Sequence, residues 1–202
     1  MTIAPTAHDL HVAHAQQEND EKAIFGFWIY LMTDCVLFAT LFATYAVLHT
    51  QTFGGPSGRE LFSLPYALAE TMVLLVSSFF CGFLGRAAYF KQRGRVLFWM
   101  GMIFVLGATF LALELHEFAD FVQSGNSWQR SAFLSSFFTL VGCHGFHITC
   151  GLAWMIFLGV QIFRRGIIPD TVRRLICFKL FWHFLDVVWI FIFSIVYIIG
   201  AA

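Results

Sequence analysis

The stretch from Cys177 to Gly200 constrains the fold more than any other. It is apolar over about the length a helix needs to cross a bilayer. Near its middle stands Trp182-His183-Phe184-Leu185-Asp186-Val187-Val188-Trp189. A backbone in lipid has no water to bond, so such a run must be helical. His183 and Asp186 are three residues apart and share one face of that helix. An ionisable group near the bilayer centre costs about 2.5–3.5 kcal/mol on insertion scales. Such side chains normally turn inward, toward other helices or trapped water, which raises the question of which polar groups elsewhere in the chain meet them.

Composition agrees with a membrane chain. Of 202 residues, 59% are hydrophobic and 12% charged, and mean hydropathy is +0.75. That excludes a soluble enzyme and points to one integral membrane domain. The formal net charge is zero, which gives no ground for a nucleic-acid partner. Cys35, Cys81, Cys143, Cys150 and Cys177 lie in or beside apolar runs, with no CxxC pair. They read as small buried hydrophobes rather than disulfides or metal ligands. Residues 1–23 are polar, so no cleavable signal peptide is visible.

The expected fold class is all-α, an integral membrane bundle of five transmembrane helices. Residues 1–22, with His8, His11 and His14, read as a flexible cytoplasmic tail. Those histidines are taken as solvated rather than as a weak metal site. The transmembrane domain covers 23–202, with spans at about 24–48, 66–90, 96–121, 131–163 and 177–200. Turn formers at Gly54-Gly55-Pro56-Ser57-Gly58 close the first loop, and Lys91, Arg93 and Arg95 form a basic turn around Gly94. Arg164, Arg165, Arg173 and Arg174 crowd the loop around Pro169. With Lys22, Lys91, Arg93 and Arg95 they fall on one side of the membrane, against Arg59 and Arg130 on the other. The positive-inside rule then sets a cytoplasmic N-terminus and a periplasmic C-terminus.

Polar groups inside the spans are the candidate site. Asp34 lies about 15 Å into the first span, at 1.5 Å per residue. Asp34, His183 and Asp186 fall toward the cytoplasmic half. Glu70, Glu114 and Glu117 fall toward the outer face, with His144 and His147 between. Two clusters are expected: Asp34 with His183 or Asp186, and Glu70 with Glu114 or His144. They could fix helix packing, line a proton or ion path, or hold metal. The pairs Glu114/Glu117, His144/His147 and His183/Asp186 echo a carboxylate di-metal bundle. Such sites need Glu-x-x-His on two helices, and the chain has none. There is no trusted haem-ligand pattern, no nucleotide-binding glycine motif and no Ser-His-Asp or Cys-His set. Arg86 and Lys179 sit near span ends, where long side chains reach the headgroups.

Two motifs together carry a resemblance. His144-Gly145-Phe146-His147, followed by Trp182-His183-Phe184-Leu185-Asp186-Val187-Val188-Trp189, is similar to subunit III of the haem-copper terminal oxidases. Phe25-Gly26-Phe27-Trp28-Ile29-Tyr30-Leu31-Met32-Thr33-Asp34 resembles that family's carboxylate-bearing helix. The likeness covers about residues 22–202. Five spans look most like the cytochrome o (bo-type) ubiquinol oxidase branch, since many cytochrome c oxidase relatives have seven.

The resemblance implies several roles. Asp34 takes the place of an intramembrane carboxylate, usually Glu, that reacts with hydrophobic carbodiimides. Glu117 matches a family glutamate. His144 and His147 match the paired histidines, and His183 and Asp186 the His/Asp pair. Phospholipids are held between helices with an Arg on the fourth span, where Gln161 stands here and Arg164 one turn onward. No cofactor is expected in this chain, because haem and copper lie in the partner subunit I. The expected role is an accessory, non-redox subunit of a proton-pumping ubiquinol oxidase in the bacterial inner membrane. It would stabilise the catalytic subunit and support proton uptake, bound to subunit I, other oxidase subunits and phospholipids. The alternatives are subunit III of a cytochrome c or menaquinol oxidase, a free-standing transporter, and a membrane di-metal oxidase.

Overall fold

The computed structural model describes residues 7–52, 54, 63–198 and 200. The turn residues 55–58, Arg59 and Ala202 lie outside the described residues, as do the side chains of His8, His11 and His14. Five helices follow one another: α1 (Ala7–Leu48), α2 (Leu64–Tyr89), α3 (Arg93–Gln123), α4 (Ala132–Arg165) and α5 (Pro169–Ile192). The last widens into a π-helical turn over Phe193–Ile198. All five are long and apolar enough to cross a membrane, and there is no strand among the described residues.

Local chemistry explains the ends. Ser131 caps α4, accepting from Leu134 N–H at 3.2 Å, which satisfies one of the orphan donors of a first turn. Proline stands at the start of α2 and α5, where its missing N–H costs nothing. Gly166, at φ +75°, stops α4. The α2–α3 reversal is tighter than expected. It turns at Lys91, at φ +51°, while Gly94 is already helical.

Two boundaries differ widely from the sequence reading. Helix α1 starts at Ala7, within the stretch expected as a flexible tail, and α5 starts at Pro169 rather than near 177. Hydropathy marks where lipid begins, not where a helix does. Good helix formers such as Gln17, Glu18 and Lys22 continue α1, and Lys22 pairs with Glu18 at 2.7 Å. Arg173 binds Asp20 at 2.6 Å and Asp170 at 3.2 Å. That contact ties the polar extensions of α1 and α5 together.

Helix α5 is central, packing on α1, α2 and α4, while α3 joins α2 to α4. Half of its most apolar stretch is buried, against 22% for α1, so α1 is the peripheral helix. Lipid tails give little hydrophobic drive between helices, so close packing and hydrogen bonds must hold them. Trp182 shows how. Its ring is fully buried between Gly107 on α3 and Gly151 on α4. Its indole N–H donates to Ser77 Oγ on α2 at 2.7 Å. One side chain thus joins four helices.

Trp189 repeats the device one level outward. It donates to Thr71 Oγ1 at 3.0 Å and meets Phe110 edge-on at 4.7 Å. Trp189→Phe keeps most of the ring and loses the donor. We expect a loss of about 0.6 kcal/mol, the average for interhelical bonds in lipid, measurable by detergent-denaturation of the purified protein.

Candidate functional site

The polar groups fall into three sets, each bridging different helices. In the first, Asp34 on α1 meets His147 on α4, with Nε2 and Oδ2 3.9 Å apart. His183 and Asp186 were expected there, but they lie elsewhere. The reason is rotation about the helix axis. At 3.6 residues per turn, i and i+3 point about 60° apart. His147 thereby reaches α1, while His144 enters the core against Trp189 at 5.2 Å and Phe110 at 5.8 Å.

His147 Nδ1 lies 2.7 Å from the Cys143 carbonyl oxygen. A carbonyl only accepts, so Nδ1 carries a proton, an assignment that rests on this bond. Nε2 is the ring atom turned toward the Asp34 carboxylate, at a separation longer than a direct hydrogen bond.

The second set sits between α5 and α2. His183 Nδ1 lies 3.7 Å from Asp186 Oδ2 and 2.8 Å from Ser78 Oγ. Asp186 is buried. Ser77 and Ser78 were not among the candidates, although adjacent serines in the middle of an apolar span are a legible signal.

The third set collects the glutamates. Glu70 on α2 and Glu114 and Glu117 on α3 lie within electrostatic reach of one another. Glu70 and Glu114, expected as one cluster, face the same region without a hydrogen bond between them among the described residues. Tyr197, from the π-helical turn, donates to Glu117 Oε2 at 2.7 Å. Tyr66 donates to the Leu113 carbonyl at 2.9 Å. Glu114 reaches α4 only because Gly145 has no side chain. A Cβ there would stand 2.7 Å from Glu114 Oε1. The carboxyl oxygens of Glu70 and Glu114, and both ring nitrogens of His144, are buried without a hydrogen-bond partner among the described residues.

The three headgroup candidates separate. Gln161 accepts from Arg174 at 2.9 Å, Arg164 is exposed at the end of α4, and Arg86 is exposed near the end of α2. Among the described residues, no group of three or more His, Cys, Asp or Glu is placed to hold a metal ion.

These helices, with carboxylate, histidine pair and His/Asp pair on the first, fourth and fifth, define a class, and the comparisons agree. The family described as cytochrome c oxidase subunit III matches residues 7–201, and the chain belongs to that family. The chain is 52% identical over 194 residues to cytochrome bo(3) ubiquinol oxidase subunit 3 of Pseudomonas aeruginosa, covering 96% of this chain and 91% of that one. It is 43% identical over 188 residues to quinol oxidase subunit 3 of Bacillus subtilis, covering 92% and 91%. It is also 43% identical over 183 residues to cytochrome c oxidase subunit 3 of Bacillus sp. strain PS3, covering 89% and 87%.

Proposed function

We propose that this chain is the accessory third subunit of a haem-copper ubiquinol oxidase, which oxidises quinol, reduces dioxygen to water and moves protons outward. One observation carries the reading: near full-length identity of 52% to a protein named as subunit 3 of a bo(3) ubiquinol oxidase. The chain binds a catalytic subunit I that holds haem and copper, and performs no electron transfer itself. A second reading, subunit III of a cytochrome c oxidase, is favoured by the strain PS3 relative. The test is purification through a tag on this chain. Co-purified haem with oxygen consumption driven by ubiquinol supports the first reading, and activity with reduced cytochrome c alone supports the second. Recovery of the chain without any haem protein contradicts both.

The complex sits in a bacterial inner membrane. The basic residues at the α2–α3 and α4–α5 turns support a cytoplasmic N-terminus. A reporter after Ala202 is expected to read as periplasmic and one in the 164–174 segment as cytoplasmic. The opposite pattern overturns the orientation. Phospholipids occupy grooves between helices, and the end of α4 around Gln161 and Arg164 is one such place.

Within the complex, Asp34 and His147 fasten the peripheral α1 to α4. Asn is nearly the shape of Asp and remains able to hydrogen-bond. Asp34→Asn is therefore expected to assemble with full subunit content and to pump protons through many turnovers. The measurement is quinol-driven oxygen consumption with proton ejection. An assembled variant that pumps poorly or inactivates early would instead make Asp34 a functional proton group.

A further inference from the structure

The tight α2–α3 turn opens a cleft of about 350 Å³ on the basic side of the bundle, lined by Phe83, Arg86, Phe90, Gln92, Arg95 and Trp99. Its chemistry is graded along the membrane normal. Arg86 and Arg95 stand close to the helix ends, and the aromatic rings lie further in. Phe83 is three residues deeper than Arg86 on α2, and Trp99 four residues deeper than Arg95 on α3. Each step is about one turn. Phe83 and Trp99 stack at 5.0 Å, 21° from coplanar, and make a flat apolar wall beneath the two guanidinium groups.

The neighbouring cation is engaged elsewhere. Arg93 donates to the Phe163 carbonyl and lies over its ring, 5.3 Å from the centroid. Among the described residues, no carboxylate lies within ion-pair distance of Arg86 or Arg95.

We infer that this cleft binds an anionic phospholipid, with Arg86 and Arg95 on the headgroup phosphate and the acyl chain along Phe83 and Trp99. Planar guanidinium groups match phosphate oxygens two at a time. Basic pockets at the cytoplasmic face suit anionic headgroups. The polar-to-apolar gradient favours a lipid over an acidic protein segment, which has no use for a deeper aromatic wall. The site is separate from the α4 groove and rests on the broader reading that lipids occupy this chain's clefts.

The test uses the detergent-purified assembly, wild type and Arg86→Gln/Arg95→Gln, in nanodiscs of phosphatidylglycerol or phosphatidylcholine. Native mass spectrometry counts retained lipids, and titration gives the affinity. We expect wild type to retain phosphatidylglycerol that the double variant loses, with about a thirty-fold rise in the dissociation constant. Phosphatidylcholine binding should be weak and unchanged, and inorganic phosphate should not displace the lipid. Equal retention of phosphatidylglycerol by both forms overturns this cleft alone. Retention by neither form overturns the broader lipid reading with it. Loss of a partner subunit with unchanged lipid retention assigns the cleft to an acidic protein segment instead. Displacement by inorganic phosphate shows a site for the free anion.

Discussion

Gly107→Val is expected to strip this chain from the purified complex. A Cβ at Gly107 would stand 2.8 Å from Trp182 Cη2 and 3.1 Å from Leu152 Cδ2. The indole cannot retreat. Gly151 on α4 backs it, where a Cβ, had there been one, would stand only 3.1 Å from the ring, and its N–H is fixed to Ser77. Overpacking a well-filled core costs about 1–3 kcal/mol, and a ring held on three sides puts this case at the upper end, about 3 kcal/mol. The helices must separate or α5 must turn, and turning breaks the contacts of Trp189 as well. Adding Trp182→Leu should recover part of the lost assembly, because the closest of these contacts is then removed while that to Leu152 stays. Gly101→Val is the control, since nothing lies within 4 Å of the Cβ it would add on the same helix. Subunit content by gel, at equal expression, reads the outcome. A Gly107→Val complex with full subunit content would show that the α3–α5 contact is looser than described.

Gly145→Val is expected to have the second largest effect, through electrostatics as well as sterics. The Glu114 carboxyl fills the space beside Gly145, and a Cβ added there would meet Oε1 at 2.7 Å and Oε2 at 2.9 Å. A glutamate end is normally mobile, and an exposed one would swing away at little cost. Glu114 is 2% exposed, and Glu70 and Glu117 are already near. Displacement either crowds three carboxyl groups or forces α3 from α4. The expected cost is about 2–3 kcal/mol, seen as earlier thermal loss of the subunit. Glu114→Ala in the same chain should relieve most of it. If the second change brings no relief, the carboxyl is not what the missing side chain accommodates.

Much of the fold was legible because lipid imposes one simple demand. The apolar runs had to be helices, and the spans expected around 66–90, 96–121 and 131–163 match α2, α3 and α4 within a few residues. The beginnings of α1 and α5 were not legible, since their polar extensions are held by Arg173 and Asp20 across the bundle rather than by hydropathy. The polar residues within the spans could be named from the sequence, but not all their pairings. That Asp34 sits inside a span follows from its position; that it faces His147 rather than His183 depends on how α4 and α5 are rotated. Packing sets those rotations through Gly107, Gly145 and Gly151, which in a sequence read as weak helix formers. Ser77 and Ser78 carried a usable signal, as polar residues in an apolar run, and the structure supplies their partners, Trp182 and His183.

We propose that this chain stabilises a quinol oxidase whose redox centres lie in other subunits. The most direct measurement separates the purified complex in mild detergent into this chain and the remainder. Haem is then read optically in both fractions, with quinol oxidation followed in the remainder. All the haem is expected in the remainder, with initial quinol oxidation close to that of the intact complex and faster loss of activity on storage. Haem travelling with this chain would contradict it.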